Sequence, residues 1–300
     1  MSVSYRHLFR QGKVLRALLE AGVLSARGGG AKGEPTAPGP VIERTLPPLA
    51  RSLIRDYVRH VGGNPDAYKN TVPPHLFPQW GFPLLSKTLQ AVPYDMSRVV
   101  NAGFRMEIRR ALPADEPLRM KGNLAAIDDN GRRIIITERL ITETDSAPDA
   151  LLAEVNALIP LKKPGEKSGA KKDKPRVPTD VREIGRWRLG PNAGLEFAFL
   201  TGDFNPIHWI PAYAKAAGFR NTILHGFSTA ARAIETLNQA LWSGRVDYLK
   251  SWDVRFNRPL VLPGNVGVFV DDLGGVYIGD GPGGPSYLSG HYTIREQDDE

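Results

Sequence analysis

Three side chains able to handle water or a proton fall within six residues of each other: Asp203, Asn205 and His208. They lie in the stretch Phe199-Leu200-Thr201-Gly202-Asp203-Phe204-Asn205-Pro206-Ile207-His208. A carboxylate and an imidazole this close in sequence can share one water molecule. That is the equipment for adding water to a carbon–carbon double bond, or for removing it. Thr-Gly-Asp and Asn-Pro are also ordinary turn chemistry. Asn205 therefore either orients the water or only fixes the turn before Pro206.

An acid and an imidazole must be held by rigid elements. Trp209 to Asn221, rich in Ala with Trp, Pro and Tyr, is expected to be partly helical. Thr222-Ile223-Leu224-His225-Gly226-Phe227 then leads into a second helix. Its apolar stripe is Phe227, Ala230, Ala231, Ile234, Leu237 and Leu241, a spacing that fits one buried face. The reactive turn is thus followed by a buried helix that begins at a His-Gly pair.

A chain of 300 residues allows one large domain or two ordinary ones. There are no cysteines, which excludes disulfides, thiolate metal sites and a cysteine nucleophile. No apolar run is long enough to span a membrane, so no integral membrane segment is expected. The net charge of +7 invites a nucleic-acid partner, but its distribution argues against one. Residues 1–33 and 160–176 carry +5 each, leaving −3 for the remainder. The basicity sits in a tail and a linker rather than on a folded face.

Tyr5 to Leu24 reads as an amphipathic helix with Arg6, Arg10, Lys13 and Arg16. A docking helix, a membrane-surface helix and a transit peptide all fit it. The expected location is cytoplasmic, or an organelle matrix if residues 1–30 are a transit peptide. Ala26 to Pro40, rich in Gly, Pro and Ala, reads as a flexible connection.

The chain also repeats itself at an offset of 150 residues. His225-Gly226-Phe227 falls on His75-Leu76-Phe77, Val254-Arg255-Phe256 on Phe104-Arg105-Met106, and Leu262-Pro263 on Leu112-Pro113. Each half reads as a helix followed by strands. In the first half the helix is expected over Phe82–Val92, with Pro83 in its first turn. Strands are expected at Phe104–Arg110, Leu118–Ile127 and Arg132–Thr142, the last two joined by an Asp129-Asn130-Gly131 turn. The second-half strands are expected at Trp252–Arg258, Val266–Asp271, Val276–Ile278 and Tyr287–Ile294. The divisions are 1–40 (helix and flexible segment), 41–160 (first domain), 161–178 (basic linker) and 179–300 (second domain).

The second half resembles the MaoC-like hydratases, also called hydratase 2 or (R)-specific enoyl-CoA hydratases. The resemblance rests on Gly202-Asp203-Phe204-Asn205-Pro206-Ile207-His208, His225-Gly226-Phe227, Phe256-Asn257-Arg258-Pro259 and Leu262-Pro263-Gly264. It implies an α+β class and a double hot-dog fold, each unit a central helix wrapped by an antiparallel sheet. It further implies a lyase that hydrates trans-2-enoyl thioesters reversibly to (R)-3-hydroxyacyl thioesters. Asp203 and His208 would hold the water, Asn205 would orient it, and the Gly226 N–H would hydrogen-bond the thioester carbonyl. His225, Phe227 and Ser228 are candidates for the substrate pocket. Arg255 and Arg258 are candidates for the phosphates of coenzyme A, with solvated strand residues as the other reading. No cofactor is implied. The partner is an acyl-CoA or acyl-carrier protein, and a monomer and a homodimer are both compatible. No metal site is expected, because the histidines are scattered along the chain.

The first half departs from this pattern. Gly63-Asn64-Pro65 matches Phe204-Asn205-Pro206, but Gly62 stands for Asp203 and Ala67 for His208. One site per chain is therefore expected, in the second half. The interval from Asn64 to His75 is nine residues shorter than that from Asn205 to His225. The missing segment is expected to leave room for a long or bulky acyl chain. Two rivals stay open: a thioester hydrolase, and an acyl-thioester-binding subunit without catalysis.

Overall fold

The computed structural model describes residues 7, 36–89, 92–94, 99–161 and 174–295. The Tyr5–Leu24 helix and most of the basic linker expected from the sequence lie outside them, as does much of Ala26–Pro40. Ten strands form one antiparallel sheet. The first half supplies β1 (Ile42–Leu46), β2 (Val100–Ile108), β3 (Leu118–Asp129), β4 (Arg133–Glu143) and β5 (Leu151–Pro160). The second supplies β6 (Arg182–Leu189), β7 (Leu249–Phe256), β8 (Gly264–Val270), β9 (Gly275–Gly279) and β10 (Ser286–Ile294). Alternation drives the interior strands. Along β5, Leu151, Ala153, Val155, Ala157 and Ile159 are buried and the residues between them half-buried. The Asp129-Asn130-Gly131 turn joins β3 to β4 as expected, with Asp129 Oδ1 accepting from Gly131 N–H at 2.8 Å.

The strand order is β1-β3-β4-β5-β2-β7-β10-β9-β8-β6, so the order in one half repeats in the other about the central β2–β7 pair. Phe104 lies opposite Val254 in that pair, and Arg105 opposite Asp253. Phe104 therefore faces its own counterpart in the 150-residue repeat. Gly103 faces the counterpart of Arg105, and Arg105 that of Gly103. A two-fold axis relating the halves must pass through the Phe104–Val254 pair. The expected double hot-dog, α+β architecture is the one observed.

Two long helices lie on the inner face: α2 (Phe77–Leu89) and α5 (Gly226–Ala240). Helix α2 packs on β1, β3 and β4, and α5 on β6 and β10. Their N-termini meet near the axis, where Phe77, Phe82, Phe104, Phe227 and Phe256 form one aromatic cluster. Shorter helices α1 (Arg51–His60) and α3 (Ala193–Thr201) cross this layer and contact each other, and α4 (Pro211–Ala216) follows the reactive turn.

Two expectations about the elements need correction, the first on the first-half helix. The helix begins at Phe77 rather than Phe82, because a 3₁₀ turn at Pro74–Leu76 feeds straight into it. Pro83 then sits inside the helix, and Val92 falls beyond its end. Burial of Phe77, Trp80, Leu84 and Leu85 outweighs the hydrogen bond that Pro83 removes. Strands β1, β5 and β6 and helices α1 and α3 also add to the expected elements. Strands β1 and β6 are the sheet edges; β1 is only five residues long and β6 has a broken alternation, so neither stands out in the sequence.

Candidate active site

Helix α3 delivers the acid. It ends at Gly202, whose φ of 83° is the left-handed conformation that lets a helix stop and the chain turn out. The Gly202 N–H closes the helix on the Ala198 carbonyl at 2.8 Å. Thr201 Oγ1 donates to the Phe197 carbonyl at 2.9 Å and accepts from Asp203 N–H at 3.4 Å. Asp203 emerges half-buried, with its carboxylate Oδ1 accepting from Asn205 N–H at 3.4 Å.

A 3₁₀ turn, Pro206–His208, delivers the imidazole. Asn205 caps this turn, its Oδ1 accepting from Ile207 N–H at 3.3 Å. Asn64 caps the corresponding turn of the first half in the same way, accepting from Asp66 N–H at 3.1 Å. That half has neither the acid nor the imidazole, so the capping contact of Asn205 does not depend on them. His208 is buried, and its Nδ1–H donates to the Ile223 carbonyl at 2.8 Å. With the proton fixed on Nδ1, Nε2 keeps its lone pair. Burial lowers the His208 pKa, with the Asp203 charge opposing, so the ring rests in its basic form.

His225 and the start of α5 complete the group. The His225 ring stacks on His208 with centroids 3.6 Å apart, and its Nε2–H donates to the Asp203 backbone carbonyl at 3.0 Å. Burial and the neighbouring His208 push its pKa down to about 3. His225 is the N-cap of α5, and Gly226 is its first residue. The first N–H groups of a helix have no partner within it, and its dipole places partial positive charge there. Any side chain at position 226 would meet the Phe256 ring at 2.7 Å, so glycine is what lets the strand and helix close up. Two more polar atoms at this helix start are buried and unpaired among the described residues: His225 Nδ1 and Ser228 Oγ. Buried polar groups are normally satisfied, and an unpaired set points to a ligand.

The fold thus gathers histidines that are scattered in sequence. Asp203, His208 and His225 bring one ligand-capable atom each to within 4.8 Å of one another. The two rings are nearly parallel, at 23°. One nitrogen of each ring is also already committed to a backbone carbonyl. The arrangement suits proton transfer better than a cation.

The remaining candidates separate. Ser228 lies beside Gly226 in the first turn of α5. Phe227 is 5% exposed and packs in the aromatic cluster at the junction of the halves, its ring 5.0 Å from that of Phe104. Arg255 is exposed on β7 and forms no ion pair among the described residues. Arg258 is half-buried; its guanidinium reaches the Pro175 carbonyl at 3.5 Å, and its Nε is buried without a partner.

Two positioning residues escape a reading of the motif alone. Gly194 in α3 faces the reactive turn so closely that a Cβ there would lie 2.1 Å from the His208 carbonyl oxygen. An isolated glycine within the apolar Ala193-Gly194-Leu195 run is the signal that was available. Phe197, also on α3, packs its ring 4.9 Å from His225 and 6.2 Å from His60 of α1.

Residues 162–275 match the family model described as "MaoC like domain". The chain is 34% identical over 106 residues to a 3-hydroxyacyl-thioester dehydratase X of Mycobacterium tuberculosis, covering 35% of each chain. It is 29% identical over 186 residues to a peroxisomal enoyl-CoA hydratase 2 of Arabidopsis thaliana, covering 57% of this chain and 59% of that one. The matches therefore span about a third and about three-fifths of these relatives' lengths. Among solved structures, a MaoC-like dehydratase from Phytophthora capsici superposes with a TM-score of 0.69 at 19% identity. That match covers 90% of this chain and 99% of that one, and it bears on the fold.

Proposed function

From the match of residues 162–275 to the MaoC-like domain model, we propose that this chain hydrates trans-2-enoyl thioesters reversibly to (R)-3-hydroxyacyl thioesters. The acyl group is carried on coenzyme A or an acyl-carrier protein. One observation carries the reading: an acid and a basic imidazole converge beside a helix start whose polar atoms are buried and unpaired. A dehydratase and a hydratase among its relatives point the same way.

The substrate water sits between the Asp203 carboxylate and His208 Nε2. As the water oxygen bonds to the β-carbon, one of its protons passes to this pair, and a proton goes from the pair to the α-carbon on the same face. The electron pair released from the double bond flows transiently onto the thioester oxygen. Gly226 N–H, aided by the dipole of α5, meets that oxygen where its charge develops, so it stabilises the transition state more than the substrate. The reverse sequence removes water. His225 holds the Asp203 backbone and the His208 ring in place without contributing charge of its own.

The shorter first-half segment coincides with an open cleft of about 740 Å³, with Ala67, Val72, Ile108, Leu112 and Leu151 among its walls. Asp203, His208 and Gly226 do not line this cleft, so the proposed room for a long or bulky acyl chain rests on the shorter segment itself. Among the described residues no helix is long and apolar enough to cross a membrane.

The test mixes the protein with crotonyl-CoA and with a longer trans-2-enoyl-CoA and follows loss of the conjugated enoyl absorbance. An (R)-specific dehydrogenase reads the product, and a thiol reagent reads release of free coenzyme A. Loss of absorbance with an (R) product and no free thiol is the expected result. Free thiol would move the reaction to hydrolysis, and turnover confined to short chains would remove the acyl-room argument.

A further inference from the structure

Helix α1 has no acid to deliver. It runs towards Gly62, where its counterpart α3 runs towards Asp203, and it contacts α3 directly. Its last residue, His60, reaches further. Counting back from the matched Asn64 and Asn205, His60 stands where the second half has Thr201. Its side chain is only 5% exposed, although it belongs to the half without a dyad.

One guanidinium nitrogen of Arg232, on α5, donates to His60 Nε2 at 3.1 Å. Arginine only donates, so Nε2 must carry the lone pair, and the proton of a neutral ring sits on Nδ1. The ring is neutral, its pKa pushed down to about 3 by burial and then by Arg232. Nδ1 faces the Glu196 carboxylate of α3 at 3.5 Å. A neutral imidazole thus stands between a cation and an anion, accepting from one and turning its N–H towards the other. The chain just after α1 is tied to α5 at two further points. The Gln239 amide donates to the Gly62 carbonyl, and a side chain at Gly63 would run into Glu235. The His60 ring also begins a row of rings that ends on the dyad. Its centroid lies 6.2 Å from that of Phe197, Phe197 lies 4.9 Å from His225, and His225 lies 3.6 Å from His208.

Helix α3 delivers Asp203 and α5 starts at Gly226, so the spacing of these two helices sets where the acid stands relative to the thioester oxygen. We propose that His60 is a positioning residue for the reaction: its ring bridges Arg232 of α5 to Glu196 of α3 and, through Phe197, holds His225 against His208. This rests on the enoyl-thioester reading of the site. His60 touches no reacting atom, since the rings of Phe197 and His225 stand between it and His208. The half without the acid uses the matching helix as a brace for the half that has it.

The experiment compares wild type, His60→Leu and His60→Gln as full chains, by crotonyl-CoA turnover and by nitrogen NMR of the imidazole rings. Leucine fills the space and makes no bridge, whereas the glutamine amide offers both an acceptor and a donor. His60→Leu should lower kcat by roughly tenfold with KM little changed, as when reacting groups are misplaced and substrate binding is kept. His60→Gln should restore most of that loss. In the wild-type spectrum His60 should be neutral with its proton on Nδ1. The His208 and His225 ring signals should move in His60→Leu and return in His60→Gln. Unchanged kcat in a folded His60→Leu protein, a loss that glutamine does not restore, or a proton on His60 Nε2 would each overturn the proposal. A wild type that leaves crotonyl-CoA untouched would count against the enoyl-thioester reading instead. The ring signals would then decide the bridge: moved and restored signals uphold it, and unmoved signals overturn it.

Discussion

His75 and His225 occupy the same place in the two halves, each just before a central helix, and their surroundings are opposite. His75 is enclosed by protein: Tyr57 Oη lies 3.0 Å from its Nδ1, and Glu235 Oε1 lies 2.8 Å from its Nε2. Tyr68 donates to the same carboxylate at 2.7 Å, and the Asn238 amide reaches Glu235 Oε2 at 3.3 Å. His225 has one nitrogen on a backbone carbonyl and leaves Nδ1 unpaired beside Ser228, Gly226 and the dyad. The capped turn persists in both halves, since Asn64 and Asn205 make the same contact. One half has spent its polar groups on its own structure, while the other holds them open for a substrate.

The sharpest way to break this comparison is to remove matched groups from each half. His208→Ala or Asp203→Asn should lower kcat/KM by about a thousandfold, the range of a lost general acid or base, with little change in melting temperature. Near-normal turnover in either variant would reject the assignment. His75→Leu should do the reverse. It removes one of the hydrogen-bond partners of the buried Glu235 carboxylate, leaving Tyr68 and Asn238 on it, which costs roughly 1–3 kcal/mol of stability, and a thermal melt should show this while kcat stays close to wild type. If His75→Leu removed activity from a folded protein, the two halves would share one site.

A subtler change tests positioning. Gly194→Ala adds a methyl where only 2.1 Å separates it from the His208 carbonyl. Displacing the turn by even an ångström should lower kcat by about a hundredfold while sparing the fold. The pH profile sharpens the same point. Because burial lowers the His208 pKa, the acid limb of kcat/KM should fall at a pH below that of an ordinary histidine. A limb at or above pH 6.5 would assign that ionisation to another group.

How far the sequence reveals all this depends on how local each feature is. The Asp203–His208 turn is legible because its geometry is built from neighbours: Gly202 in a left-handed cap, Asn205 bonding two residues on, and Pro206 opening the turn. The repeat is legible because the two-fold pairs Phe104 with Val254, keeping one offset along a central strand of each half. The packing of Phe227 is not legible locally, because the second half places this ring against rings from the first. His225 on His208, Phe197 on His225 and His60 on Arg232 are likewise contacts between distant segments, which no local pattern encodes. Edge strand β1 is only five residues long, and β6 breaks its alternation at a register shift between Glu183 and Gly185.

The smallest expected effect lies in the first half, at a buried acid the proposed chemistry does not use. Glu138 on β4 is held near Thr88 of α2, and burial pushes its pKa up to about 8. The hydrogen bonds agree. Thr88 Oγ1 lies 2.8 Å from the Leu85 carbonyl and 2.7 Å from Glu138 Oε1. One hydroxyl proton serves only one of them at a time, and both contacts become hydrogen bonds when Glu138 is protonated and donates to Thr88 Oγ1 while Thr88 donates to Leu85. The sign of the pH effect follows from linkage. Below the ordinary pKa of 4.5 both folded and unfolded chains hold this proton, and the contribution is fully present. Between that value and about 8 the unfolded chain releases the proton while the folded chain keeps it, so stability falls as pH rises. Glu138→Gln keeps the shape and removes the titration. Its melting temperature should match wild type near pH 4.5, exceed it by several degrees at pH 9, and level off there. A constant difference across that range would mean that Glu138 ionises normally, and that this half too keeps a charged group in its interior.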